Sequence, residues 1–197
     1  MRVYFPPEQM DDPAGYLMEN YGSSILVSGI AFSTEVYRHS TLSLREFEGA
    51  RARTAEINGC RLCQQFRAER DLPGYLNAVE SGSAEQSILA NGDAPDEAYY
   101  RNVSNWKSYD GYSDRERLAI RYAEGMGLDP QRIAQDENFW QQAKAVFSDS
   151  ELVELAYSIG CWMGLGRASH VLGMDAVCAW MPTAEQKSDS LSRSRNQ

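Results

Sequence analysis

Positive charge is scarce in this chain. Lys and Arg number 19 against 28 Asp and Glu, which leaves a formal net charge of -9 and a pI near 4.8. Nucleic acid and anionic membrane both recruit basic surface stripes, and none is present, so neither is expected as a partner. Long apolar runs are missing too. The start, Met1-Arg-Val-Tyr-Phe-Pro-Pro-Glu8, has no apolar centre of the signal-peptide kind, and no segment approaches the roughly 20 residues that a spanning helix needs. A cytoplasmic, reducing setting is therefore expected. Histidine is limited to two residues and cysteine to four. Only Cys60 and Cys63 stand at the paired short spacing that structural zinc uses, while Cys161 and Cys178 are far apart, so no metal or other cofactor is expected. Cys161 and Cys178 read as small buried hydrophobes.

Strand-period alternation of useful length is also absent, and helical periodicity takes its place. Three capping boxes, Ser43-Leu-Arg-Glu46, Ser113-Asp-Arg-Glu116 and Ser148-Asp-Ser-Glu151, each precede apolar residues at helical spacing. The first predicts a helix from Leu44 with Leu44, Phe47 and Ala55 inward and Arg45, Glu46, Arg51, Arg53 and Glu56 on its other faces. The second carries Leu118, Ala119, Tyr122, Ala123 and Met126, and the third Leu152, Leu155, Ala156, Ile159 and Met163. Between these two, Ile133, Phe139, Trp140, Ala143 and Phe147 mark another helix.

Earlier in the chain, Pro13 opens a short helix, and Ile25, Leu26, Ile30, Ala31 and Phe32 form an apolar helix face. Asp71-Leu-Pro-Gly74 reads as a turn, with a helix restarting at Tyr75. His39 falls in a polar connection and reads as an exposed loop residue. Tyr99, Tyr100, Trp106, Tyr109 and Tyr112 crowd an irregular stretch, suited to a pocket, an interface or the edge of the core. Gly160, Gly164 and Gly166 suggest either a close helix approach or a kink. The whole reads as one all-α domain over 1–182. The tail 183–197 has almost nothing to bury and is expected to be disordered.

Asn58-Gly59 breaks the first capped helix, which puts Cys60 at the start of the next one. A helix N-terminus favours thiolate over thiol, so Cys60 reads as the low-pKa member of the pair, with Cys63 one turn on. Two thiols at this spacing close a reversible disulfide or share a metal, and a reducing compartment favours reactive thiols. Arg61, and Arg67 on the same face as Cys63, would stabilise an anion. Neither can hand over a proton, because guanidinium stays charged at any working pH.

The run from Glu48 through Asn58-Gly59-Cys60-Arg-Leu-Cys63 to Arg67 resembles the core motif of the carboxymuconolactone decarboxylase and alkylhydroperoxidase-D-like (AhpD-like) superfamily. That motif is a glutamate, an interval often ending in Asn-Gly, Cys-x-x-Cys, and a histidine four residues on. The segments 112–124 and 147–160 resemble the superfamily's later helices, and the likeness extends from the thirties to about residue 175. Glu48, Cys60 and Cys63 match functional positions of the superfamily. Leu62 and Arg67 stand where its peroxidases carry histidines. The resemblance implies an AhpD-like helical bundle assembled as a homo-oligomer. It also implies a thiol-dependent peroxidase-type oxidoreductase acting on a small peroxide, with a dithiol reductant restoring the thiols. Two other outcomes stay open: a decarboxylase or lactone-handling enzyme in which the thiols are spectators, and a non-catalytic redox-sensing oligomer. In the peroxidase reading the candidate catalytic residues are Cys60, Cys63, Glu48 and Arg67. Glu48, ion-paired to Arg67, or water is the expected proton carrier, and His170 is a further candidate if its helix packs against the cysteine helix.

Overall fold

The computed structural model describes residues 1–9 and 13–175; the tail 183–197 and Cys178 lie outside the described residues. The fold is all-α, with ten α-helices and no β-strand among the described residues. In chain order these are α1 (Pro13–Tyr21), α2 (Ser24–His39), α3 (Leu44–Asn58), α4 (Arg61–Gln65), α5 (Ala68–Ala78), α6 (Glu97–Arg101), α7 (Asp114–Leu128), α8 (Pro130–Ala134), α9 (Glu137–Val146) and α10 (Asp149–Leu172). Among them, no helix is long and apolar enough to cross a membrane.

All three capping boxes form, at the starts of α3, α7 and α10. Their glutamates do double duty. Arg45 binds Glu116 at 2.6 Å, while Arg115 binds Glu46 at 2.5 Å and Glu151 at 2.7 Å, so the three helix starts are tied together at one end of the bundle. Each carboxylate thus satisfies its own helix and a neighbour at once.

α3 is the central element, packed chiefly against α7 and α10. Phe47, Leu72, Leu76, Phe139, Leu155 and Ile159 are fully buried around it, each stabilising the fold by roughly 1.5–3 kcal/mol relative to an exposed side chain. Enclosure on several sides leaves α3 little free polar face. Glu46 and Arg51, expected to face outward, are therefore buried, and each is paired.

Other expectations are corrected as well. The predicted turn at Asp71-Leu-Pro-Gly74 lies inside α5, with Pro73 in mid-helix. Leu72 and Leu76, one turn apart and both fully buried, hold the helix through the lost proline hydrogen bond. On α2, Ile25 is 84% and Phe32 42% exposed, because the face turned inward is that of Thr34, Val36 and Tyr37. His39 is exposed as expected, but it is the last residue of α2, paired with Glu35 at 3.4 Å. The tyrosine-rich stretch builds a second, smaller core in which Tyr99, Tyr100, Val103, Trp106 and Tyr112 close over Ala52 and Ile120. Gly160 and Gly164 face open space on the outer side of α10, beside the exposed Tyr157 and Val171, whereas Gly166 is pressed against Asn58.

Candidate active site

α3 ends at Asn58, and Gly59 takes the left-handed conformation (φ +69°) that turns the chain into α4. Cys60 is the N-cap of α4, and its sulfur accepts the Cys63 N–H at 3.3 Å. The two cysteines are joined as a disulfide, their Cα atoms 5.3 Å apart. Cys60 is fully buried and Cys63 partly exposed, so Cys63 is the member of the pair with an open side. With only five residues, α4 has a small dipole, and the Cys63 N–H is the contact through which it reaches the Cys60 sulfur.

Glu48 does not meet Arg67. It is fully buried, and its carboxylate makes a bidentate pair with Arg51 (2.5 and 3.0 Å) while accepting the Tyr100 hydroxyl at 2.5 Å and the Ala68 N–H at 3.4 Å. Arg51, 3% exposed, reaches past Glu48 to donate to the carbonyls of Cys63 (2.7 Å) and Phe66 (2.8 Å). Burial alone would pull the Arg51 guanidinium down, but the adjacent Glu48 carboxylate outweighs that and holds it above the ordinary arginine value. Burial, then the Glu48 charge, push the Tyr100 hydroxyl well above the ordinary tyrosine value, so it stays neutral and donates. Sequence reasoning missed Arg51 and Tyr100. The i,i+3 spacing of Glu48 and Arg51 was the available signal for the first; nothing local marks the second.

α4 stops at Gln65 and Phe66 is extended, so Arg67 leaves the face of Cys63 and becomes the N-cap of α5. Its guanidinium pairs with Glu97 at 2.8 Å and lies 4.0 Å over the Tyr100 ring. The Arg67 hydrogen bond holds the Glu97 carboxyl below its usual range. Arg67 thus braces the outer side of Tyr100.

α10 does pack against the cysteine segment. A Cβ placed on Gly166 would lie 2.6 Å from the Asn58 amide nitrogen and 3.7 Å from the Cys63 sulfur. One turn later, the His170 ring sits over Gly59, with Nε2 3.2 Å from where a Gly59 Cβ would be. His170 Nδ1 is 3.0 Å from Asp175 Oδ2, and the same oxygen accepts the Arg61 backbone N–H at 2.9 Å. The structure therefore brings Cys60, Cys63 and His170 to the C-terminal end of α3, ties Glu48, near the start of that helix, to the Cys63 carbonyl through Arg51, and turns Arg67 toward Glu97.

Elsewhere, burial pushes the Cys161 thiol up to about 11. A surface cleft of about 940 Å³ runs along α7, α8 and α9 past Arg117, Arg121 and Asp136, and its lining includes none of the cysteine-site residues. The disulfide, a bond that an attacking thiolate can open, marks the candidate site better than this cleft does. Among the described residues, no three of His, Cys, Asp and Glu gather closely enough to hold a metal ion.

No protein-family model matches the chain, and no curated protein does either. Among solved structures, it is similar to the crystal structure of an Agrobacterium tumefaciens protein of unknown function, provisionally assigned there as the antioxidant defence protein AhpD. The TM-score is 0.57 at 19% identity, over 81% of this chain and 94% of that one, a likeness of fold.

Proposed function

We propose that the chain is a thiol-dependent oxidoreductase of the AhpD-like peroxidase kind, cycling Cys60 and Cys63 between dithiol and disulfide. The observation that carries this reading is the Cys60–Cys63 disulfide itself, closed at the end of α3 with its only open side at Cys63. In the reaction, the Cys63 thiolate attacks one peroxide oxygen and the O–O bond breaks. The alkoxide takes a proton from water, giving an alcohol and a Cys63 sulfenic acid. Cys60 then displaces water from that sulfenic acid to form the disulfide, and an external dithiol returns both sulfurs to thiols.

Glu48 and Arg51 position the motif, since both Glu48 oxygens are engaged and Arg51 grips the Cys63 carbonyl. Peroxide consumption with dithiothreitol as reductant tests the reading: wild type turns over and Cys63→Ser falls to the uncatalysed rate. The full burial of Cys60 favours a second reading, a redox sensor. In that case one equivalent of peroxide closes the disulfide and turnover never follows.

Self-assembly belongs to the same proposal. The outer faces of α2 and α10 expose Ile25, Phe32, Tyr157 and Val171, with Gly160 and Gly164 open between the last two. Such a face suits a second copy of the chain. Light scattering should give a multiple of 22.1 kDa, and a mass of one chain at micromolar concentration would defeat this part.

A further inference from the structure

We propose that His170, oriented by Asp175, is the proton carrier for the Cys60 sulfur when the disulfide opens and closes. The proposal rests on the reading of Cys60 and Cys63 as a redox-active pair, and its test separates the two. α10 covers the pair, with Gly166 against the Cys63 sulfur and His170 one turn later against Gly59, the residue that leads into Cys60. Asp175 is buried, and its Oδ2 faces both His170 Nδ1 and the Arg61 N–H. An ionised carboxylate at that distance takes the Nδ1–H, which assigns the tautomer and leaves Nε2 to gain or lose a proton on the side of Gly59. The ring is about half exposed, so its proton exchanges with water. Neither Arg61 nor Arg67 can do this. Asp175 is the charged group in contact with the ring, the Arg61 backbone N–H shares its oxygen, and the Met1 backbone lies near Gly173, just past the end of α10.

In the reducing direction, a thiolate of an external dithiol attacks the accessible Cys63 sulfur. The S–S electron pair leaves on Cys60, and the departing thiolate takes the proton from imidazolium Nε2. The second thiol of the reductant then attacks the mixed disulfide and releases Cys63, leaving two protein thiols and a cyclic disulfide. In the oxidising direction, His170 removes the Cys60 proton before that sulfur attacks the Cys63 sulfenic acid, and water leaves.

The sequence holds two histidines, so NMR can follow both imidazoles in the unaltered chain, with His39 on α2 as internal reference. The His170 titration should move to higher pH when dithiothreitol reduces the pair, because the ring covers Gly59 and the adjoining Cys60 then gains thiolate charge, while the His39 titration stays put. His170→Gln should slow reduction by dithiothreitol by about tenfold at neutral pH, less than the hundredfold typical of a positioned acid because a thiolate is already a fair leaving group. Asp175→Asn should shift the pH inflection of that rate without abolishing it. The proposal is overturned if the His170 titration is the same in both redox forms, or if His170→Gln is reduced as fast as wild type. Should Asp175→Asn fail to fold, the NMR titration and His170→Gln decide alone. A disulfide that resists dithiothreitol in the folded wild type would defeat the redox reading along with the proposal.

Discussion

Two polar clusters flank the cysteine motif, and each holds its backbone by one strong hydrogen bond. On one side Arg51 donates to the Cys63 carbonyl; on the other Asp175 accepts the Arg61 N–H. The first cluster, Glu48 with Arg51 and Tyr100, is dry and closed, and every charge in it is matched by geometry. The second contains a half-exposed imidazole. Burial fixes the charge of the first cluster, since any change of ionisation there would strand its partner in a medium that solvates it poorly. Only the second holds a side chain with one ring nitrogen tied to a carboxylate and the other left to exchange protons with water. In the proposed redox cycle the cysteines gain rigidity from one side and proton exchange from the other.

The largest effect should come from breaking the dry side. Arg51→Met leaves Glu48 buried without its counter-charge and should cost about 3–5 kcal/mol in urea unfolding. His170→Gln at the wet side should stay within about 0.5 kcal/mol, as a surface change does. Equal losses would erase the distinction.

Arg67→Ala sharpens the boundary between the two. Its partner Glu97 is largely exposed and its stacking on Tyr100 is modest, so a loss of about 1 kcal/mol is expected. A loss as large as that of Arg51→Met would make Arg67 part of the dry cluster.

The smallest effect is that of acid on two paired carboxylates, Glu97 and Glu151. Glu97 is held below the usual glutamate range by its Arg67 bond, and Glu151 by the Ser148 backbone N–H. Because their folded values are lowered, their contribution to stability is complete above the ordinary glutamate range and disappears as pH falls through the folded values. Thermal melts should therefore be flat from neutrality down to the glutamate range and drop below it. Glu97→Gln should blunt that drop slightly.

What could be read from the sequence follows the range of the interactions. The starts of α3, α7 and α10 were legible because Ser43, Ser113 and Ser148 and their partner glutamates act within one turn. The position of Cys60 was legible because Asn58-Gly59 is a local stop. Arg51 and Arg67 were misplaced for a different reason. Which arginine Glu48 binds depends on where α4 ends and on Tyr100 arriving from α6, and neither is encoded near Glu48. Pro73 gave a turn signal that two buried leucines overrode. The apolar residues of α2 had the right period, but the inward face is set by Tyr37 and Val36, which pack into the main core.

The linked helix starts also act as a ruler. Because Arg45 and Arg115 clamp the caps of α3, α7 and α10 together, all three helices are measured from nearly one origin. The 15 residues of α3 and the 15 of α7 each climb about 22 Å from it. At that height they meet α10, where Asn58 donates to the Trp162 carbonyl and Arg167 to the Gly127 carbonyl. The longer α10 continues for about two more turns, and that overhang delivers Gly166 and His170 to the level of the cysteines. The alignment of the cysteine end is thus set at the opposite end of the molecule, by the same glutamates that begin the helices.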